Sequence, residues 1–197
     1  MSDVQILQSP QQLAVVFRAI LGSFSKPAVS TSIVKVQSAP SPLLPTTAAI
    51  ALTLFDYQTP IWLSAELNTD AVRKFLRFQT GAPLTADPAA ASFAIVALAE
   101  TQNEWPNFNL GSHEYPDRST TVILQVPSLT TGDAVRVSGP GLKDPVDFHV
   151  AKSTPDFWQH IQMNNSLFPI GNDFMFASPN VIAALPRSAS IAMLELA

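Results

Sequence analysis

The chain has no cysteine, seven glycines, three histidines, and only eleven basic and fifteen acidic side chains in 197 residues. Without cysteine there is no disulfide framework, no thiolate nucleophile and no thiolate ligand for zinc or an iron-sulfur cluster. Any chemistry must come from oxygen and nitrogen groups. Charged residues are 13% of the sequence and apolar ones 47%, about half the charged share usual in a soluble domain. A large buried fraction, or a broad surface that meets a partner, produces that ratio. The net charge of −4, with no basic run, removes the counterion-release route to nucleic acid. No apolar run reaches the roughly 18 residues that span a bilayer, and the opening "MSDVQILQSP" lacks the basic start and apolar centre of a signal peptide. The expectation is a soluble cytoplasmic protein with neither a nucleic-acid nor a membrane partner. GxxxxGK[ST], GxGxxG and GxSxG are also missing, which removes the usual phosphate loop, dinucleotide fingerprint and nucleophile elbow.

What is present fits one core. A length of 197 residues without a linker-like stretch predicts a single domain over 1–197. In "SPQQLAVVFRAILGSFSKP", Leu13, Val16, Phe17, Ile20, Leu21 and Phe24 share a helical face, Ser9 caps and Pro27 terminates. "AVSTSIVKV" is β-rich, and the loop 37–46 carries three prolines. Residues 47–55 suit a short buried helix, with a strand left open. "TPIWLS" and "SFAIVAL" read as strands, separated by a helix over 68–81 with Asn68 as its cap and Gly81 as its stop. Residues 99–118 form a long polar connection, of the length that usually serves function or a partner. "STTVILQV" and "DAVRVSG" around "PSLTTG" predict an antiparallel hairpin. A helix starts at Thr154 and Pro155, and the last thirty residues read as strands: "DFMFAS", "VIAAL" and "SIAMLEL". About four helices and seven or eight strands give an α/β fold with a mixed central sheet flanked by helices.

His113, His149 and His160 match no zinc spacing. Lys26, Lys35, Lys74, Lys143 and Lys152 sit in no apolar strand end that would lower a lysine pKa for a Schiff base. "SGPGL" at 138–142 reads as a tight turn more readily than a phosphate cradle. Arginines are the more informative cations: Arg77 near the end of its helix, Arg118 in "YPDRSTT" and Arg187 after Pro186, besides Arg18 on the first helix. Permanently charged planar forks at element ends suit carboxylate, phosphate or phosphonate groups. Ion pairing with Glu114, Asp117 or Asp173 is the competing structural role. Tyr115 and Asp117 either shape the loop or join the site. Ser119 and Thr120 either face it or simply start a strand.

Several stretches in order resemble one family: "FRAILGSFSKPA", "TPIWLS", "LRFQTGAPL", "FAIV", "GSHEYPDRSTTVILQV", "VSGPGL", "FPIGND" and "ALPRS". Together, from about residue 10 to the C-terminus, they resemble phosphonate metabolism protein H (PhnH), a subunit of the bacterial carbon-phosphorus lyase system. The resemblance implies a fold similar to the large domain of pyridoxal-phosphate-dependent transferases without the cofactor, a homodimer when isolated, and partnership with the lyase G, I, J and L subunits. It implies work with G, I and L in joining a phosphonate to the ribose of a purine nucleoside triphosphate. Here the chain serves as an assembly subunit or, alternatively, holds nucleotide or phosphonate through Arg77, Tyr115, Asp117, Arg118, Ser119, Asp173 and Arg187. The resemblance assigns no catalytic residue, no metal and no activity to the chain alone. Members commonly have glycine at Ala28 and histidine at Gln79; glutamine cannot titrate, so a role needing an ionisable ring is absent at 79.

Overall fold

Helix α1 (Pro10–Ser25) begins as its sequence dictates, with the Ser9 hydroxyl accepting the Gln12 N–H at 3.2 Å and Pro10 in the first turn. The computed structural model describes residues 9–36, 38–101 and 105–194. Readings made of 1–8, of residue 37 in the proline-rich loop, of 102–104 in the polar connection and of 195–196 in the last strand lie outside the described residues. After α1 come β1 (Thr31–Ser32), α2 (Pro45–Leu54), β2 (Ile61–Leu63), α3 (Asp70–Thr80), β3 (Phe93–Ala97) and β4 (Thr121–Gln125). Next are β5 (Ala134–Ser138), β6 (Val146–His149), α4 (Pro155–Ser166), β7 (Asp173–Ala177), β8 (Val181–Leu185) and β9 (Ser190–Met193). No helix among the described residues is long and apolar enough to cross a membrane.

The main sheet has the order β1-β8-β7-β4-β3-β2. Strands β2, β3, β4 and β7 are parallel, while β8 runs antiparallel to both β7 and β1. Period-two alternation sends its side chains into two cores. Ile95, Ile123, Met175 and Ala184 meet α1, α2 and α3 on one face; Val96, Leu124, Phe174 and Leu185 meet α4 and a second sheet, β6-β5-β9, on the other. The fold is therefore α/β with a mixed central sheet and covering helices. Residues 45–54, apolar on every side, form a helix because α2 is buried between neighbours, with Ala48, Ala49, Ile50 and Ala51 at 0% exposure.

The expected hairpin does not form. Val122, Ile123 and Leu124 of β4 are all buried, so this strand needs cover on both faces and takes β3 and β7 as parallel neighbours. In β5, exposed Arg136 stands between buried Val135 and Val137, a one-sided pattern that suits the antiparallel second sheet. Three smaller corrections follow the same logic of local competition. The β-rich run 28–36 pairs only through Thr31 and Ser32. Thr69, not Asn68, caps α3 by accepting the Val72 N–H, and Asn68 instead receives the Arg73 guanidinium on two oxygens. The connection 99–118 is not polar throughout, since Phe108 is buried in the second core and Trp105 packs against it.

Two backbone positions connect sequence to packing. A Cβ on Gly141 would lie 2.0 Å from the Ser25 carbonyl oxygen, so the "SGPGL" turn is a close approach to the end of α1 that only glycine permits. Ala28 has φ 64°, in the left-handed region, and its N–H donates to the Ala184 carbonyl. The resemblance expects glycine there, and the observed angle supplies the physical reason.

Candidate functional site

At the amino edge of the parallel strands, three loops converge. Pairing of Phe174 with Leu185 brings the residues just before β7 beside those just after β8, and β4 starts alongside β7 with Thr121 opposite Asp173. "YPDRST", "FPIGND" and "ALPRS", far apart in sequence, thus share one corner.

Arg187 organises that corner. Its Nε and one Nη2 hydrogen donate to the two oxygens of Asp173, at 3.1 and 2.6 Å. The remaining donors reach the Ser119 hydroxyl at 2.6 Å, the Pro116 carbonyl at 2.7 Å and, more weakly, the Pro169 carbonyl at 3.4 Å. All five N–H donors of the guanidinium are thereby directed at protein oxygens. Asp173 also accepts the Arg187 backbone N–H at 2.8 Å. The two side chains are only 12% and 24% exposed, so the bidentate pair works in a low-dielectric setting where charge-assisted bonds are strong. Among the partners weighed for Arg187, Asp173 is the one it takes.

Beneath the pair lies an amide network not foreseen from sequence. Buried Asn172 donates its side-chain amide to the Asn109 and Thr120 carbonyls, and its backbone N–H to Asn164 Oδ1. Asn164 returns a bond to the Asn172 carbonyl. Gly171, at φ 121°, donates to the Leu110 carbonyl, and a Cβ there would meet the Asn164 carbonyl at 3.0 Å. The sole sequence signal was "GND" at a strand start, which is equally a surface turn. Thr120 is fully buried and donates to the Ala91 carbonyl, so it closes the strand start.

The other expected site residues divide. Tyr115, Asp117 and Arg118 stand exposed beside the corner, with the Arg118 guanidinium 4.0 Å above the Tyr115 ring. Of the three, Asp117 lines an open cleft of about 350 Å³, together with Phe168, Pro169, Asp173 and Arg187. Ser119 is buried and consumed by Arg187. Arg77 stands apart on the exposed face of α3, joined to this cluster by no hydrogen bond or ion pair among the described residues, next to exposed Phe78 and Gln79. No group of three or more His, Asp or Glu among the described residues is placed to hold a metal ion.

The carboxyl edge contains two further cavities. One, about 330 Å³, lies between Pro42, Leu44, Glu66, Gln125, Lys152 and Pro179. There the Gln125 amide accepts the Leu44 N–H at 2.7 Å and donates to the Pro42 carbonyl at 3.2 Å, tying the end of β4 to the start of α2. The other, about 510 Å³, involves Trp62, Ser64, Glu100 and Trp105.

A family model described as bacterial phosphonate metabolism protein (PhnH) matches residues 5–192. Over 177 residues the chain is 32% identical to alpha-D-ribose 1-methylphosphonate 5-triphosphate synthase subunit PhnH of Rhizobium meliloti (strain 1021), spanning 89% of this chain and 88% of that protein. Over 82 residues, 42% of each chain, it is 33% identical to HtxG of Stutzerimonas stutzeri, whose name assigns it provisionally as a C-P lyase subunit.

Proposed function

This chain belongs to the bacterial phosphonate metabolism protein (PhnH) family, and from that premise we propose that it is a cytoplasmic, single-domain assembly subunit of a carbon-phosphorus lyase core complex. It acts there with the G, I, J and L subunits. The reaction it serves joins a phosphonate to the ribose of a purine nucleoside triphosphate with displacement of the base; the name of the Rhizobium relative, a subunit of an alpha-D-ribose 1-methylphosphonate 5-triphosphate synthase, supports the ribose-phosphonate part of that reading. The carrying observation is the saturation of Arg187: a guanidinium with every donor engaged by its own protein is a clamp between loops, with none left for a substrate oxygen. Exposed apolar side chains, Phe78 at 87% and Phe168 at 60%, support surfaces that meet other chains, a second copy in the isolated protein included. The parallel core with an antiparallel neighbour, β8, accords with kinship to the large domain of pyridoxal-phosphate-dependent transferases, used here without the cofactor.

Coexpression with the G and I subunits, followed by gel filtration with light scattering, tests the reading. A stoichiometric complex is expected, and the purified chain alone should turn over neither nucleotide nor phosphonate. Turnover by the isolated chain, or a homodimer indifferent to both partners, contradicts it.

The exposed Tyr115–Arg118 stack beside the amino-edge cleft favours one second reading, in which Tyr115, Asp117 and Arg118 bind nucleotide or phosphonate oxygens while Ser119, Asp173 and Arg187 hold them in place. Arg77 contributes only if a partner or second copy brings it near. Under this reading Arg118→Ala weakens binding of a nucleoside triphosphate to the isolated chain without lowering its melting temperature. Unchanged binding rejects it.

A further inference from the structure

The cavity at the carboxyl ends of β2 and β3 is lined by two residues that each carry a polar atom the fold buries and leaves unmatched. Glu100 Oε2 and Trp105 Nε1 have no hydrogen-bond partner among the described residues, although buried polar groups are nearly always satisfied. Both residues line the same space of about 510 Å³, within the range of sites for small organic ligands. The edge is also the one at which open α/β sheets take ligands.

The surrounding residues fix both atoms. The other Glu100 oxygen, Oε1, accepts the Glu66 N–H at 2.9 Å, which anchors the carboxylate at the cavity wall. Trp105 and Trp62 each meet Phe108 edge-to-face, with centroids at 6.5 and 5.5 Å. Pro88 and Pro106 complete flat apolar walls around the polar pair.

The complement of such a wall is specific. A carboxylate oxygen requires a donor, an indole N–H requires an acceptor, and aromatic and proline faces favour a planar ring. We propose that this cavity is a binding site for a neutral planar nitrogen heterocycle with an exocyclic amine next to a ring nitrogen, an aminopyrimidine edge. The amine donates to Glu100 Oε2 and the ring nitrogen accepts from Trp105 Nε1. The site is independent of the assembly role and of the amino-edge cleft, so its failure leaves both of those readings untouched.

The three tryptophans supply the test. In ¹⁵N-labelled full-length protein, the indole N–H signals are followed while 2-aminopyrimidine is added to about 10 mM, a range suited to a small fragment. The Trp105 signal, assigned through Trp105→Phe, should move downfield. That of Trp158, which already donates to the Ser153 hydroxyl at 3.0 Å, should stay and report an intact fold. Pyrimidine, the same ring without the amine, should bind about tenfold more weakly or worse. Glu100→Gln turns the acceptor into a donor and should weaken 2-aminopyrimidine to a similar degree. An unmoved Trp105 signal, or equal response to the two rings, overturns the proposal in the wild-type protein whether or not the variant folds. Undiminished binding by Glu100→Gln overturns it as well.

Discussion

The two edges of the central sheet treat polar groups in opposite ways. At the amino edge, Arg187, Asp173, Asn172 and Asn164 direct their donors and acceptors at one another and at loop carbonyls. At the carboxyl edge, Glu100 and Trp105, which line a cavity, leave one buried atom each unmatched. A saturated network makes a rigid, uniquely arranged corner, whereas an unsaturated one stores recognition capacity at a cost in stability. The "YPDRSTT" and "FPIGND" loops thus serve as a joint, and an edge with no sequence motif offers the ligand chemistry.

Removing the centre of the joint is the most direct way to break the comparison. Arg187→Ala would strand the part-buried Asp173 carboxylate together with the Ser119 hydroxyl and the Pro116 carbonyl. Loss of one member of a buried charge pair costs about 3 kcal/mol or more, so the urea midpoint should fall steeply. A midpoint within experimental error of wild type would mean that the corner is solvated and the clamp idle. Asn172→Ala is next: it removes the side-chain donors to the Asn109 and Thr120 carbonyls, while the backbone N–H that serves Asn164 Oδ1 stays. About 2 kcal/mol is expected, read from the same denaturation curve, with the Arg187 pair intact.

The joint was only partly legible in the sequence. Its charged members were visible as arginines and acids at element ends, and the cap-and-proline starts at Ser9–Pro10 and Thr154–Pro155 marked two helices. What local pattern cannot carry is pairing across the sheet. Arg187 finds Asp173 only because Phe174 pairs with Leu185, a register set by burial of both faces. The same limit explains the misread hairpin: "PSLTTG" is a good turn between two β runs, but the apolarity of β4 on both faces outweighs it. Glu100 and Trp105 lay hidden in a stretch that reads as polar loop, since nothing local reveals that Phe108 draws it into a core.

The carboxyl edge should respond weakly to the corresponding substitution. Glu100→Gln keeps an oxygen for the Glu66 N–H and removes an unmatched charge, so stability should change by less than about 1 kcal/mol, with a gain in stability equally consistent. A loss comparable to that of Asn172→Ala would show that Oε2 has a partner in solution and would erase the difference between the edges. His160 gives this region a pH response. Its ring stacks on Trp105 at 4.3 Å between centroids, and burial holds its pKa below the ordinary 6.5. The unfolded chain therefore binds a proton first on acidification, so this contribution is complete above pH 6.5 and is lost as pH falls toward the lowered folded value. His160→Gln should flatten that part of the stability profile.

The smallest expected effect returns to the amino edge, where Ala28 bonds Ala184 at the end of β8. An L-residue in the left-handed region costs about 1–2 kcal/mol, and glycine in its place adds about 0.4–1 kcal/mol of unfolded-state entropy to be lost. The two oppose, so Ala28→Gly should stabilise by about 0.5 kcal/mol. A reverse sign would mean that the Ala28 methyl, only 7% exposed in the second core, contributes more through packing than its backbone angle costs. The alanine would then be a local solution to packing at the joint, and the glycine that the resemblance leads one to expect there one answer among others to the same bend.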